Sequence, residues 1–117
     1  MNLNSILIGS ENPQGLRDYY NKILGKPAFE EGDFSGWQIG RGWIAVGPHD
    51  QVQGKNRDAG RVIWNIETSD VRGEFDKLKA AGATVVREPY QPGGAPEMWI
   101  ATFSDPDNNC FQLMSSM

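Results

Sequence analysis

The stretch FSDPDNNCFQLMSSM, residues 103–117, decides the reading of the fold. Asp105-Pro106 opens a turn, because proline pre-sets φ and aspartate bonds back to the following backbone. Asn108-Asn109 tolerate the left-handed conformations that a tight reversal needs. Two β-rich runs flank the turn, residues 99–103 and 110–114, so the segment reads as a β-hairpin.

Working outward from this hairpin, the rest of the chain falls into two similar halves. Residues 3–8 read as a first strand, with Ile6 and Ile8 on one face and Ser5 and Leu7 on the other. Asn12 is placed to cap a helix that has Pro13 at its first position. Leu16, Tyr19, Tyr20, Ile23 and Leu24 follow at helical spacing, and Gly25 is a natural stop. Short strands are expected at 27–30, 36–39 and 43–46, with a hairpin turn at Arg41-Gly42. The pattern then returns. Residues 62–67 form a strand with Val62, Trp64 and Ile66 on one face; Ser69 or Asp70 caps a helix carrying Val71, Phe75 and Leu78; Gly82 ends it. Strands at 84–87, 98–103 and 110–114 complete the half. Caps and stops correspond at an offset of roughly 57–58 residues, which marks an internal repeat.

Each half is therefore a βαβββ unit, and the fold class is α+β. Module 1 covers about 1–49, a polar stretch at 50–60 (DQVQGKNRDAG) is the linker, and module 2 covers about 61–117. A sheet with a helix on one face leaves the other bare, so two such units can enclose a cleft, within one chain or by swapping between two. The 117 residues suit a single domain. A net charge of −4 with well-mixed signs gives no footprint for nucleic acid. No apolar run has transmembrane length, and the N-terminus lacks the regions of a signal peptide. One cysteine excludes an internal disulfide and fits a reducing, cytoplasmic setting.

Three segments in register carry a family resemblance. The closing turn resembles the DPDGN-x-F/I-E/Q-L ending of the vicinal oxygen chelate superfamily, which includes glyoxalase I, extradiol dioxygenases and bleomycin-resistance proteins. GLRDYYNKILG, residues 15–25, is similar to that family's x-A-x-x-F-Y-x-x-x-L-G helix. DVRGEFDKLKAAGATVVREP, residues 70–89, is similar to its D-V-x-x-x-x-x-x-L-x-x-x-G-A-x-x-x-x-x-P segment. The resemblance spans essentially the whole chain and implies the glyoxalase/bleomycin-resistance fold, a curved mixed sheet around a cleft. In its metal-dependent members, the first and last strands of each module supply His and Glu ligands. The landmarks carry those positions onto Ser5, Ala45, Ile63 and Gln112 of this chain.

That set is chemically wrong for a divalent metal, which takes imidazole, carboxylate or thiolate. Neighbouring registers (Asn4, Ile44, Val62, Phe111) are no better. The expectation is therefore no metal and no cofactor. The leading reading is a binding protein of the bleomycin-resistance type, a homodimer with an aromatic-lined cleft for an aromatic or apolar small molecule. Its ligand-binding candidates are Ser5, Trp37, Trp43, Asn65, Tyr90, Met98, Trp99 and Gln112. For the tryptophans the competing role is core packing, which alternation already assigns to Trp64. Trp43 is in phase with Ala45 on the bare face, whereas alternation fixes neither Trp37 nor Trp99. Asn65 and Gln112 share a face and can hydrogen-bond a ligand or simply satisfy neighbours. Tyr90 and Met98 belong to a Pro/Gly-rich loop at 88–99, read as a flap over the cleft.

The alternative is a glyoxalase- or dioxygenase-like enzyme using Glu30, Glu31, Asp33, Glu97 or His49 as non-standard ligands. A third reading is a regulatory module whose cleft is vestigial. Other motifs fail on inspection. The alternating Asp105, Asp107 and Asn109 begin like a calcium loop, but Cys110 stands where that loop needs glycine and Ser116 where it needs glutamate. GGAPEMW lacks the Lys-Ser/Thr of a phosphate loop.

Overall fold

The computed structural model describes residues 1–116; Met117, the last residue of the second expected module, lies outside them. The chain forms two compact units, one of residues 1–55 and one from residue 56 onward.

In the first unit, strand β1 (Ser5–Ser10) leads into helix α1 (Pro13–Leu24), followed by β2 (Phe29–Glu31), β3 (Phe34–Ile39) and β4 (Gly42–Pro48). The sheet order is β1-β4-β3-β2, with β1 parallel to β4 and the remaining pairs antiparallel. The second unit repeats this plan. Strand β5 (Ile63–Glu67), helix α2 (Val71–Ala80), β6 (Thr84–Tyr90), β7 (Ile100–Ser104) and β8 (Cys110–Met114) form a sheet of order β5-β8-β7-β6. Here β5 runs parallel to β8. Between the two plans lies a short 3-10 turn, Ala59–Arg61. No helix among the described residues is long and apolar enough to cross a membrane.

The helix starts are alike for a physical reason. Asn12 Oδ1 accepts from the Gly15 N–H, and Asp70 Oδ1 accepts from the Gly73 N–H. Each cap satisfies one of the amide donors that the first helical turn leaves without a carbonyl. At the other ends, Gly25 (φ 89°) and Gly82 (φ 107°) take conformations that a side chain would oppose.

Each helix covers one face of its own sheet. Leu16, Tyr19, Tyr20 and Ile23 of α1 are buried, as are Ile8, Trp37, Ile44 and Val46 of the strands. Trp37 lies 5.9 Å from Tyr20 between ring centroids, and its Nε1 donates to the Gly25 carbonyl at 2.8 Å. In the second unit the core is an aromatic row. Trp64 stacks on Phe111 at 4.8 Å, Phe111 on Phe103 at 5.3 Å, and Phe75 of α2 tilts onto Phe103 at 5.4 Å. These rings come from β5, β8 and β7 at register-matched positions, Trp64 opposite Phe111 and Phe111 opposite Phe103.

Several boundaries differ from the sequence expectation. Ile39 pairs with Gly42, so the first hairpin turns at Gly40-Arg41 and not at Arg41-Gly42; Gly40 supplies the positive φ (59°) that the tight turn requires. Val62 is 64% exposed and precedes β5, because the preceding 3-10 turn delays the strand; it does not share the buried face of Trp64. Strand β6 runs on through Glu88 and Tyr90, past the proposed start of the 88–99 loop. Register shifts on either side of Arg87 let this edge strand continue through Pro89, whose missing N–H a regular ladder would not tolerate.

Candidate functional site

The helix-free face of the first sheet is built by register. Ser5 of β1 and Trp43 of β4 are partners, as are Trp43 and Gln38 of β3. The next row is Leu7, Ala45, Gly36 and Phe29. Gly36 has no side chain to hold the Phe29 ring away. A Cβ there would lie 2.4 Å from that ring, and one on Gly47 would lie 2.2 Å from the ring of Phe34. Both glycines thus let an aromatic ring lie against the sheet. The result is an apolar face from which Leu7, Phe29 and Phe34 remain 52%, 42% and 40% exposed. Within it lies a cleft of about 350 Å³ lined by Asn4, Ser5, Phe29, Trp43, Ile44 and Ala45.

The helix-free face of the second sheet is more polar. Asn65, Gln112 and Thr102 form one row across β5, β8 and β7, and Arg87 of β6 pairs opposite Thr102. Gln112 Nε2 donates to Thr102 Oγ1 at 3.3 Å. The neighbouring row is Glu67, Met114, Ile100 and Tyr90. Cys110 is buried on this same face, and burial, then the negative charge of Asp105, push its thiol above the usual range. A disulfide reagent at pH 8 is expected to label native Cys110 at least about tenfold more slowly than the urea-unfolded chain, since the thiolate is the nucleophile. Equal rates would contradict the burial.

The residues singled out from the sequence therefore fall in different places. Ser5 and Trp43 come together in the first unit's cleft. Asn65 and Gln112 are register partners in the second unit, and Tyr90 lies on a strand there, beneath the Arg87 guanidinium at 3.4 Å. Trp37 is only 2% exposed and its ring donor is occupied, so it is a core residue of the first unit. Trp99 sits on the helix side of its sheet, next to the start of α2. The Arg72 guanidinium lies 5.6 Å from its ring centroid, and both line a recess of about 310 Å³ with Asp70 and Ser115. Met98 lines a separate recess of about 330 Å³ with Pro96 and Glu97. Sequence reading missed Phe29, Phe34, Arg87 and Thr102.

At the four positions onto which the resemblance carries the family's ligands stand a hydroxyl (Ser5), a methyl (Ala45), an alkyl chain (Ile63) and a carboxamide (Gln112), and these do not fit a divalent cation. Among the described residues no three His, Cys, Asp or Glu side chains group so as to hold one. Two of the proposed non-standard ligands, Glu30 and His49, are engaged locally. Glu30 pairs with Arg17 at 2.8 Å, and His49 Nδ1 accepts from the Gln51 N–H at 3.1 Å.

Paired βαβββ units with helix-free sheet faces define the glyoxalase/bleomycin-resistance class of α+β proteins. Residues 5–114 match the family model described as a glyoxalase-like domain. The chain belongs to this family, and with it to the vicinal oxygen chelate superfamily. No curated protein sequence matches it. Among solved structures it is similar to a conserved domain protein, with a TM-score of 0.80 at 21% identity and full coverage of both chains. It is also similar to a glyoxalase-related enzyme from Fulvimarina pelagi (TM-score 0.77, 16% identity, 99% of this chain and 88% of the other). A glyoxalase/bleomycin resistance protein/dioxygenase family enzyme from Burkholderia phytofirmans PsJN gives a TM-score of 0.71 at 19% identity over all of both chains. At such identities the likeness concerns the fold.

Proposed function

We propose that the protein binds a small aromatic or apolar molecule without a metal, in the manner of the bleomycin-resistance branch of its superfamily, and that it works as a homodimer in the cytoplasm. The observation that carries this reading is the first unit's cleft, where Trp43 and Phe29 offer stacking surfaces and Ser5 a single hydroxyl. Such a lining suits binding by burial and ring stacking, with few polar groups to fix orientation. The lining residues include no general base to activate the Ser5 hydroxyl and no imidazole, carboxylate or thiolate for a metal, which favours binding over catalysis. On the second unit, Gln112 and Asn65 are the candidates for further polar contacts.

The test is a tryptophan-fluorescence titration with planar aromatic ligands, bleomycin included, on the wild type and on Trp43→Ala. Saturable quenching is expected for at least one ligand, weakened at least about tenfold in the variant, equivalent to about 1.4 kcal/mol. A panel without any saturable response, or an unchanged midpoint in Trp43→Ala, would refute the proposal. Metal analysis of protein purified without chelator adds a second check. Near-zero content is expected, and one tightly held ion per chain would move the protein to the metalloenzymes. Light scattering of the purified chain should give twice the monomer mass; a monomer would remove the dimer from the reading.

A further inference from the structure

The polar row on the helix-free face of the second sheet has the makings of a subsite that the apolar cleft of the first unit does not supply. We propose that Arg87 and Thr102, with Gln112 beside them, receive the carboxylate of an organic acid whose apolar body lies along Ile100 and Met114.

Three observations converge on this assignment. First, Arg87 is exposed and, among the described residues, makes no ion pair; its one recorded partner is the Tyr90 ring, 3.4 Å beneath the guanidinium. Stacking on a ring fixes the guanidinium plane while leaving its N–H edges available to a planar acceptor. Second, Thr102 is only 8% exposed and uses its hydroxyl oxygen to accept from Gln112 Nε2. Its own proton has no acceptor among the described residues. Thr102 lies directly opposite Arg87 on the adjoining strand, so both present donors to one small region. A carboxylate accepts several donors at once, which matches a guanidinium fork next to a hydroxyl. Third, the adjacent row is apolar at its centre, with Ile100 opposite Met114 and Tyr90 opposite Ile100. A charged row beside an apolar one suits an amphipathic acid better than a bare inorganic anion. Glu67, the acidic member of the apolar row, stands on the far edge strand β5, three strands from β6. At about 4.8 Å per strand that is roughly 14 Å, beyond a Debye length at physiological salt.

The inference is independent of the first unit's cleft. The experiment is a titration of isotope-labelled full-length protein with benzoate, followed by the Arg87 Nε–H and the Gln112 and Asn65 side-chain amide signals in NMR spectra. Benzamide, the neutral isostere, and inorganic phosphate are run in parallel. Saturable shifts at Arg87 and Gln112 are expected with benzoate, at least about tenfold weaker with benzamide and with phosphate. Arg87→Gln should weaken benzoate at least about tenfold while leaving the rest of the spectrum in place, because Arg87 is exposed and its loss opens no cavity. Thr102→Val should weaken it by a smaller factor. An unchanged midpoint in Arg87→Gln, equal binding of benzamide or phosphate, or benzoate shifts confined to the Trp43 indole signal would each overturn the proposal. The last outcome would leave the first unit's cleft as a ligand site, so the two readings fail separately.

Discussion

Phe111→Ala is expected to lose about 3–5 kcal/mol of stability, the range for truncating a fully buried phenylalanine. Phe111 has no exposed surface, and its ring sits between Trp64 at 4.8 Å and Phe103 at 5.3 Å. Removing it deletes both stacking contacts and leaves a cavity that neighbours on three hydrogen-bonded strands cannot close without breaking the ladder. Since a domain of this size has only about 5–15 kcal/mol in hand, that loss removes a large fraction of its stability. Urea unfolding followed by circular dichroism measures the loss. A change below about 1.5 kcal/mol would mean that the aromatic row does not hold the second unit together. Phe111→Leu, which keeps most of the volume, should recover a good part of the difference.

The second large effect is expected at the closing turn. Asp105→Ala should cost about 2–4 kcal/mol, because several donors in a buried turn would be left without an acceptor. Asp105 is 4% exposed. Its Oδ1 accepts from the Asp107 and Asn109 N–H groups at 2.9 Å each, and the Asn109 Nδ2 donates to Oδ1 at 3.2 Å and to Oδ2 at 3.0 Å. The effect should extend beyond the turn. Asn109, held in this way, accepts from Asn56 Nδ2 at 3.1 Å, Asn108 Nδ2 donates to the Asn56 carbonyl at 2.9 Å, and the Asn56 N–H reaches the Asp107 carbonyl at 2.7 Å. Amide hydrogen exchange should therefore speed up at Asn56 as well as at Asp107 and Asn109. Unchanged exchange at Asn56 would show that the two segments are not coupled through Asp105. Asp105→Asn keeps one acceptor oxygen but turns an NH2 group toward donors, so an intermediate loss of about 1–2 kcal/mol is expected.

The carboxylate of Asp105 also explains why this turn is not a cation loop. Its oxygens are occupied by N–H donors from its own turn, and Asn108 adopts a left-handed φ of 65° that closes the reversal. Asparagine reaches that region at lower cost than most residues, as the sequence reading anticipated for Asn108-Asn109.

Local physics accounts for what was legible in the sequence. Caps, stops and strand alternation act over a few residues, so Asn12 and Asp70, Gly25 and Gly82, and the runs around Phe103 and Cys110 could be located without coordinates. Their recurrence defined two βαβββ units, and the same landmarks placed non-ligating side chains at Ala45 and Ile63. What failed was set by longer-range pairing. The turn at Gly40-Arg41 follows from the β3–β4 register, and the extension of β6 through Tyr90 follows from bulges that only pairing with β7 reveals. Trp37 could not be assigned from alternation in a short strand; the packing of α1 and the Gly25 carbonyl made it a core residue. Trp99 went to the helix side because β7 begins only at Ile100 and the preceding residue packs by Arg72 of α2. Nor could the sequence show that Phe29 and Phe34 lie flat over Gly36 and Gly47, or that Arg87 stands opposite Thr102, because those neighbours are set by cross-strand register. The sequence by itself determined the elements and their repeat. Only the tertiary structure decided which side chains share a face, since strand pairing joins residues far apart in the chain and a shift of one position reverses every side chain on the strand.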